Sequence, residues 1–500
     1  MTLGGRAAHS LVEGTVVEST PGRTGQAWLE RQRGMLARMV RETDPPTDTL
    51  PRISATAGHD DADYRLVDEV LDLAGNIGAI LMASGMSATS TMDQVTAVAA
   101  AYGVKRCEVD VINTTIHIAA YRGPSAPAAS TLHIVQSRSI DFSRLAAVER
   151  LLDRIRAGQI SPTDARQELS AIITAPHPYK RWIATLAWGA LAYATAGTLG
   201  GTWLVCLISA LSAMTIDRVN RRLNRHGLPF FFQYVVGGAI ATAPPILLYW
   251  LGPTIGLQFR PSVAIAAGLV VLLAGLSLVG SVGDVISGAP VTAAGRFFEL
   301  VMMTGATIAG VAIVLHFAYQ FGAPFVAING YAPPALAELP ARVAFGAASA
   351  AAYALACYAE RSAALAAGFG GAAGTVVFLA ATGAGVGAVV ASFAAAVAIG
   401  LVGRLMERRN LAPPLVVSIA GIVPLLPGLA LLHGVYAILN DQHAVGFASV
   451  LSAFLVGTAL AAGVTLGEWS SWKVRRRRLQ ARRGNRRLRL SGHAALSSAD

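Results

Sequence analysis

Three ionisable side chains stand out in the C-terminal two thirds of this 500-residue chain, because charge is scarce there. Asp284 lies in a stretch at 280–290 that is rich in Gly, Ser and Pro, and Arg296 and Glu299 follow at i, i+3 spacing. A carboxylate at membrane depth is costly and usually serves a function. A partly desolvated carboxylate could take up and release a proton. The alternatives are a loop carboxylate that caps a helix and, for Arg296 and Glu299, an interfacial salt bridge.

A second interruption lies at 424–428, where two prolines precede a glycine inside another apolar stretch. Residues 284–288 can be aligned with it without a gap. Interrupted helices at matching positions of two halves are typical of inverted-repeat transporters, whose substrate site lies between them. Half-helix N-termini at such a site would suit a substrate carboxylate. We therefore expect a substrate or proton site that draws on Asp284, Ser287, Gly288, Arg296, Glu299, Pro424, Pro427 and Gly428.

Residues for hydrolytic chemistry occur nearer the N-terminus, but their context does not favour catalysis. Ser84, Asp110, His117 and His133 could form a hydrolytic constellation if the fold brought them together. No G-x-S-x-G turn surrounds Ser84, and both histidines lie on strand-like stretches. The sequence also lacks the G-x-x-x-x-G-K-[ST] motif of ATP-driven pumps. The sequence therefore indicates a protein that is not an enzyme.

Metal and cofactor binding are not indicated either. Cys107, Cys206 and Cys357 lie far apart, without CxxC spacing or partner histidines. We interpret them as small apolar side chains that are buried in the fold. The sequence therefore predicts no cofactor, no disulfide framework and no metal site.

The composition is that of a membrane protein. The chain is 54% hydrophobic and 14% charged, with a mean hydropathy of +0.52. Most of the net charge of +11 comes from the run 473–489, which holds one Lys, nine Arg and no acid. We expect this tail to lie on anionic lipid of the inner leaflet. Nucleic-acid binding is the weaker alternative, because no aromatic platform accompanies the arginines.

Ten apolar stretches follow a boundary near residue 180. Each approaches the roughly twenty residues that a helix needs to cross about 30 Å of hydrocarbon. A hairpin at Gly200-Gly201 divides the first two. The predicted spans are approximately 182–199, 201–216, 230–251, 262–281, 297–320, 341–358, 363–379, 383–403, 414–439 and 445–467. The fold class that we predict is a membrane α-helical protein with two inverted five-helix halves, 179–322 and 323–468.

Basic residues orient these spans. If the N-terminal region is cytoplasmic, nineteen Lys and Arg fall on inside loops and the tail, and only Arg260 and Arg342 fall outside. This asymmetry fits the excess of basic residues on the cytoplasmic side and requires an even number of spans. We therefore expect a multi-pass protein of the bacterial plasma membrane, with both termini in the cytoplasm.

Ahead of the spans, the sequence predicts a small cytoplasmic α+β domain at 61–178. Apolar residues recur at helical spacing from Tyr64 and stop at Ser84-Gly85, and a second helix is expected over Thr91–Tyr102. Two alternating, β-branched stretches follow. Helices over 143–157 and 161–173 complete the domain, the latter opened by Ser161 and Pro162. We expect 1–60 to be a disordered extension and 469–500 a basic cytoplasmic tail.

Several segments resemble the threonine/serine exporter family in their order along the chain. They are 74–85 (AGNIGAILMASG), 137–145 (SRSIDFSRL), 200–203 (GGTW), 228–232 (LPFFF) and 424–428 (PLLPG). The resemblance runs from about residue 64 to 467. It implies a cytoplasmic domain fused to ten membrane helices that export L-threonine and L-serine at the expense of the proton motive force.

The expected function is thus a proton-coupled secondary transporter whose partners are an amino acid, protons and membrane lipids. A homo-oligomer is compatible with this expectation. Within transport, the alternative is dicarboxylate export. Some relatives whose two halves are separate chains are associated with that activity. A membrane-anchored hydrolase or signalling module is the alternative from another class. It would predict activity in residues 60–176 alone.

Overall fold

The computed structural model describes residues 61–104, 106–121, 128–135, 140–252, 261–272, 275–322, 336–427, 430, 433–434, 437–438 and 441–468. The predicted disordered extension and basic tail lie outside these residues. The described part is mostly helical, with one three-stranded sheet near its N-terminus.

The described N-terminal elements are four helices and three strands, because the first of the two predicted alternating stretches forms two strands. They are α1 (Asp61–Ala83), α2 (Ala88–Ala101), β1 (Cys107–Ile112), β2 (Thr115–Ala120), β3 (Ala129–Ile134), α3 (Phe142–Arg156) and α4 (Pro162–Thr174). The strands are antiparallel in the order β1-β2-β3, with Val111 opposite Ile116 and Ile116 opposite His133. The helices α1 and α2 pack on the sheet, α3 packs against both of them, and α4 packs against α1; Ile116 and Ile118 of the sheet are fully buried.

Side-chain caps set where three of these helices begin. Ser161 accepts a hydrogen bond from the Asp164 amide, and Pro162 occupies the first turn, as predicted. Asp141 accepts from the amides of Ser143 and Arg144 at the start of α3. Ser87 caps α2, which therefore begins at Ala88, one turn before the predicted start. This last difference matters below, because it places a helix N-terminus beside the membrane helices.

The C-terminal part of the chain consists mainly of apolar helices. They are α5 (Arg181–Thr198), α6 (Trp203–Arg225), α7 (Phe230–Leu251), α8 (Pro261–Leu269), α9 (Gly275–Ile286), α10 (Pro290–Gln320), α11 (Leu339–Ala356), α12 (Arg361–Gly383), α13 (Ala388–Arg408), α14 (Pro414–Ile422) and α15 (His443–Glu468). Within the described residues, seven are long and apolar enough to cross a membrane: α6, α7, α10, α11, α12, α13 and α15.

The other three predicted spans have a different form. The first is α5, which has 18 residues and ends before the predicted glycine hairpin. The fourth is divided into the short helices α8 and α9, and the ninth begins as α14 and a 3-10 turn at 423–425. Several predicted bounds are wrong: α6 continues to Arg225, α10 begins at Pro290, and α13 covers Ala388–Arg408 instead of 383–403. Most of the arginines assigned to the adjoining loops therefore lie on helices.

The helix bounds reveal an internal repeat. The helices α5, α6 and α7 begin at residues 181, 203 and 230, and α11, α12 and α13 begin at 339, 361 and 388, each 158 residues later. The helices α8 and α10 begin at 261 and 290, and α14 and α15 begin at 414 and 443, each 153 residues later. Two halves of the same design therefore follow one another, with five residues fewer between the third and fourth elements of the second half.

Close helix contacts obey the same spacing. Gly310 on α10 packs against the carbonyl oxygen of Val235 on α7, with no room for a Cβ atom. Gly463 on α15 packs in the same way against the carbonyl oxygen of Phe393 on α13. Gly463 lies 153 residues after Gly310, and Phe393 lies 158 residues after Val235, which are the same spacings as those of the helix starts. Small residues thus allow equivalent close approaches in both halves, as is common for helices in lipid.

The repeat corrects the predicted alignment of 284–288 with 424–428. By the helix bounds, Gly288 corresponds to Asp441, and both residues have positive φ angles, of 91° and 59°. The turn at 423–425 corresponds instead to the end of α8, after Leu269. The motif alignment was wrong because one shared glycine and two apolar positions fix a register less well than the lengths of whole helices.

The halves meet along α5 and α11, which pack against each other over most of their length. At this contact the hydroxyls of Thr195 and Ser349, both buried, lie 3.1 Å apart. The short helix α8 packs against α5, α6 and α7, and α14 packs against α11, α12 and α13. The two interrupted segments therefore occupy equivalent places on either side of the central helix pair.

Candidate functional site

The most buried charges of the described membrane part lie where α9 ends and α10 begins. Gly288, with its positive φ angle, ends the turn after α9, and Pro290 opens α10. The side chain of Asp284 is fully buried, and that of Arg296 is 5% exposed. Their Oδ2 and Nη1 atoms lie 2.9 Å apart. This is a desolvated ion pair, in which each charge depends on the other for compensation.

The N-terminal domain provides a third member of this site. The amide of Ala88, the first residue of α2, donates a hydrogen bond of 2.7 Å to Oδ1 of Asp284. Amides in the first turn of a helix have no partner within the helix, and the helix dipole favours an anion there. In return, Nη2 of Arg296 donates to the carbonyl oxygen of Met86 at 3.2 Å. The first residue of α2 and the loop before it therefore bind the two members of the ion pair.

A second contact lies one turn away, at Thr292 on α10. Its hydroxyl donates to the carbonyl oxygen of Val111 at 2.9 Å and accepts from the amide of Asn113 at 3.1 Å. Asn113 lies in the β1–β2 turn with a φ angle of 53°. Gly295 faces the same turn, and a Cβ atom there would lie 3.3 Å from Oδ1 of Asn113. The start of α10 is thus held by both the α2 loop and the sheet.

The α9–α10 junction is closely packed around the arginine. A Cβ atom at Gly280 would lie 2.8 Å from Nη1 of Arg296, so the glycine leaves room for the guanidinium group. The hydroxyl of Ser281 donates to the carbonyl oxygen of Ala293 at 2.8 Å. These contacts fix α9 against α10 and position Arg296 to face Asp284.

The domain also contacts the second half, at the turn between α11 and α12. The amide of Phe142 donates to the carbonyl oxygen of Cys357 at 2.9 Å. The ring of His177 stacks on that of Tyr358 with a centroid separation of 4.3 Å, while its Nδ1 lies 3.0 Å from Oδ2 of Asp141. Since Asp141 also caps α3, one buried carboxylate links the helix start, the segment leading to α5 and the turn after α11.

A cluster of charges lies between α3 and the end of α13. Glu149 is half-buried, and its carboxylate interacts electrostatically with Glu407, Asp153, Arg156 and Arg404. Burial, and after it the negative charges of Glu407 and Asp153, raise the pKa of Glu149 from 4.5 to about 7. The contact between the domain and this helix end therefore contains a group that titrates near neutral pH.

The predicted site residues fall into two groups with different packing partners. Asp284, Arg296 and Glu299 lie along the α9–α10 junction, Glu299 half-buried, with Ser287 and Gly288 exposed at its turn. The hydroxyl of Ser287 donates to the carbonyl oxygen of Gly283. Pro424 and Pro427 are half-buried after α14, where the 3-10 turn packs against α11 and α12. Gly428 lies outside the described residues.

The residues considered for hydrolysis do not form a constellation. The hydroxyl of Ser84, directly after α1, donates to the carbonyl oxygen of Ile80 in the last turn of α1 at 2.8 Å. His117 is exposed, whereas His133 is half-buried, packs over Gly75 and lies 3.8 Å from Asp72. Asp110 lies opposite His117 on the exposed face of the sheet. Cys206 and Cys357 are buried as predicted, and Cys107 is half-buried.

Together these features define the class of protein: a helical membrane protein with a repeated five-element design and an N-terminal α+β domain docked on it. A sequence model described as "Putative threonine/serine exporter" matches residues 72–318, and one described as "Threonine/Serine exporter, ThrE" matches 342–469. The boundary between the two matches falls between the two halves.

Two curated relatives cover most of the chain. The threonine/serine exporter of Corynebacterium glutamicum is 42% identical over 439 residues, which cover 86% of this chain and 87% of the relative. The probable threonine/serine exporter of Mycobacterium tuberculosis is 34% identical over 451 residues, 89% of this chain and 84% of the relative. No solved structure matches. The chain belongs to the threonine/serine exporter family.

Proposed function

We propose that this protein exports L-threonine and L-serine across the plasma membrane of a bacterium and that the proton motive force drives the export. The observation that carries this proposal is the pair of interrupted segments, after Leu269 and at 423–427, at equivalent places in the two halves. Interrupted helices beside a repeat interface are where secondary transporters bind their solutes. Backbone freed from helical hydrogen bonding is tolerated at that depth only against protein or a wet cavity.

The two halves have opposite orientations in this proposal. Each half contains five spans if α5 counts as one and each interrupted segment as one. Because five is odd, the second half begins on the side where the first half ends. In this proposal the two interrupted segments are upside down relative to each other, which is the arrangement of alternating-access transporters.

The docking of the N-terminal domain supports this count. The domain contacts the α9–α10 junction through Asp284, the turn after α11 through Cys357, and the end of α13 through Glu407. Successive contacts are two spans apart in a ten-span topology, so all three fall on one side. In this proposal that side is cytoplasmic, because it also carries most of the basic residues. Both termini are then cytoplasmic.

The proton site in this proposal is Asp284 at the end of α9, and Glu299, near the start of α10, is the second candidate carboxylate. In the ionised form, the Asp284 carboxylate is held by Arg296 and the Ala88 amide. Protonation removes the charge that both partners bind, so a proton and these partners compete for the same oxygens. The substrate site lies apart from it, between the interruption after Leu269 and that at 423–427, each packed beside the central pair α5 and α11.

Reconstitution in liposomes tests the proposal. Labelled threonine, serine and succinate are followed with and without an imposed pH gradient. We expect the imposed gradient to speed the movement of threonine and serine across the liposome membrane. Succinate should not cross the membrane. Movement of succinate without threonine would favour dicarboxylate export, and no gradient-dependent movement of any of the three would refute coupled transport.

Two conservative variants test the proton site in the same assay. Asp284→Asn keeps the size of the side chain but cannot exchange its proton, so we expect exchange of threonine without acceleration by the gradient. Glu299→Gln makes the same change, from a carboxylate to an amide, at the second candidate residue, three positions after Arg296. A gradient response of Asp284→Asn equal to that of the parent protein would remove Asp284 from this role.

A further inference from the structure

The N-terminal domain bridges the two halves of the membrane part. On the first half it contacts the α9–α10 junction, through Ala88 to Asp284 and through the β1–β2 turn to Thr292. On the second half it contacts the connection that follows α11, through Phe142 and His177. A movement of one half relative to the other must therefore strain or break one of these two contacts.

The second-half contact, here called the anchor, comprises Phe142 and His177 of the domain and Cys357 and Tyr358 of the turn after α11. It is continuous with a single apolar core. Buried side chains of α3 join those of α11, α12 and α14 in one cluster, which includes Leu145, Tyr353, Ala364 and Val416. Separating the anchor would expose this apolar surface to water, which is unfavourable in proportion to its area.

The first-half contact, here called the latch, comprises Met86, Ala88 and the β1–β2 turn of the domain and Asp284, Thr292 and Arg296 of the junction. Its links are hydrogen bonds that involve charged or polar groups, and the apolar side chains of Met86 and Ala289 at this contact are only partly buried. Such links can be exchanged for water when the junction moves, whereas an apolar core cannot. If one of the two contacts yields, it is the latch.

The latch breaks the symmetry of the repeat. The positions that correspond to Asp284 and Arg296 in the second half, 153 residues later, are Ala437 and Ser449. The second half thus has neither member of the ion pair, although its helix bounds match those of the first half. Because only the first half has this ion pair, the pair is not needed for the architecture that the two halves share. In the structure it binds the N-terminal domain.

We propose that the domain is a cytoplasmic gate, anchored to the second half and latched to the first, and that the latch opens and closes once in each transport cycle. The inference deepens the proposed function, since transport provides its readout. Opening withdraws the α2 N-terminus from Asp284 and the Met86 carbonyl from Arg296. Asp284 then becomes accessible to a proton from the cytoplasm, so release of the domain and exchange of the proton occur at the same residue.

A reversible cross-link across the latch tests this proposal. Asn113→Cys and Gly295→Cys are introduced together, because a Cβ atom at 295 would lie 3.3 Å from Oδ1 of Asn113. Cys107, Cys206 and Cys357 are first replaced by serine or alanine. We expect the disulfide to lower threonine transport in liposomes by about tenfold or more, because a gate that cannot open blocks turnover, and a reducing agent to restore it.

The matched control crosses the anchor side. Arg150 on α3 and Glu360 beside the anchor form an ion pair of 2.8 Å. Arg150→Cys and Glu360→Cys, joined by a short bis-maleimide, should leave more than about half of the transport, since this contact stays closed. Formation of either cross-link also reports that the variant has folded, because it requires the two sites to lie close together.

The outcomes separate this inference from the proposed function. Full transport by protein whose latch is cross-linked would overturn the gate. Equal inhibition by both cross-links would also overturn it, since the domain would then not move on one half only. Absence of transport in the reduced, uncross-linked protein, with the parent protein equally inactive, would instead count against the proposed transport.

Discussion

The two halves of the membrane part share their helix bounds but differ in their charges. Both begin with three long helices, continue with a short helix that is interrupted, and end with a long helix. The first half has a buried ion pair at its last junction, and the second half has Ala437 and Ser449 in its place. The comparison teaches that the repeat specifies the architecture, whereas the differences between the copies specify where the domain docks.

Removing one charge of the ion pair, which only the first half has, should have the largest effect on stability. Arg296→Met leaves the Asp284 carboxylate buried without its cation, at a cost of about 3–5 kcal/mol in stability. We expect a clear loss of thermal stability in detergent. The combined variant Asp284→Asn with Arg296→Met should recover part of that loss, because no unpaired charge remains. A double variant less stable than Arg296→Met alone would contradict a mutual dependence of the two charges.

The next largest effect should follow from the hydroxyl that joins α10 to the sheet. Thr292→Val keeps the shape of the side chain and removes both hydrogen bonds to the β1–β2 turn, at a cost of about 1–3 kcal/mol. Thr307→Val is the matched control on the same helix, because its hydroxyl bonds only to the carbonyl oxygen of Met303 in the preceding turn. Hydrogen exchange at 111–113 should rise in the first variant and not in the second. Equal exchange would show that the sheet does not rely on this contact.

Two glycines of α9 offer a sharper comparison within one helix. Gly280→Ala places a methyl group against the Arg296 guanidinium and should cost about 1–3 kcal/mol through displaced packing. A Cβ atom at Gly283 meets nothing within 4 Å, so Gly283→Ala should be neutral or stabilise the helix by up to about 1 kcal/mol. Thermal unfolding of the two variants in the same detergent measures the difference. If they behaved alike, the close packing around Arg296 would not be as described.

The smallest effect concerns pH. The folded protein raises the pKa of Glu149 to about 7, so the folded state binds a proton more tightly than the unfolded chain does. The contribution of Glu149 to the stability of the folded protein should therefore be greatest below about pH 4.5 and decline as the pH rises from about 4.5 to about 7. Glu149→Gln should flatten that part of the profile of thermal stability against pH. Asp153→Asn, a more exposed neighbour on α3, should change the profile less.

Much of the fold could be predicted from the sequence because its signals are local. The Ser161-Pro162 helix start and the hairpin at Gly200-Gly201 depend on neighbouring residues, and the structure confirms them. The first alternating stretch is extended as predicted, but the structure divides it into β1 and β2 at a turn that the sequence analysis missed. The start of α2 was missed by one turn, although Ser87 is a good N-cap residue and could have indicated it.

The site was predictable only in part. Asp284 and Arg296 stand out by their charge in an apolar region, but their third partner is a backbone amide 196 residues away. A backbone amide has no signature in the side-chain sequence, so composition and spacing cannot reveal it. The repeat likewise depends on helix lengths, and a short motif alignment therefore gave the wrong register.

Labelling from one side of the membrane tests the opposed orientation of the two halves most directly. Single cysteines at Leu228, Glu338 and Leu411, in a background without native cysteines, are treated with a membrane-impermeant maleimide in right-side-out vesicles. The proposed topology predicts labelling at Glu338 in intact vesicles, and labelling at Leu228 and Leu411 only after permeabilisation. Labelling of Leu228 or Leu411 in intact vesicles would contradict the ten-span arrangement on which the proposed transport depends.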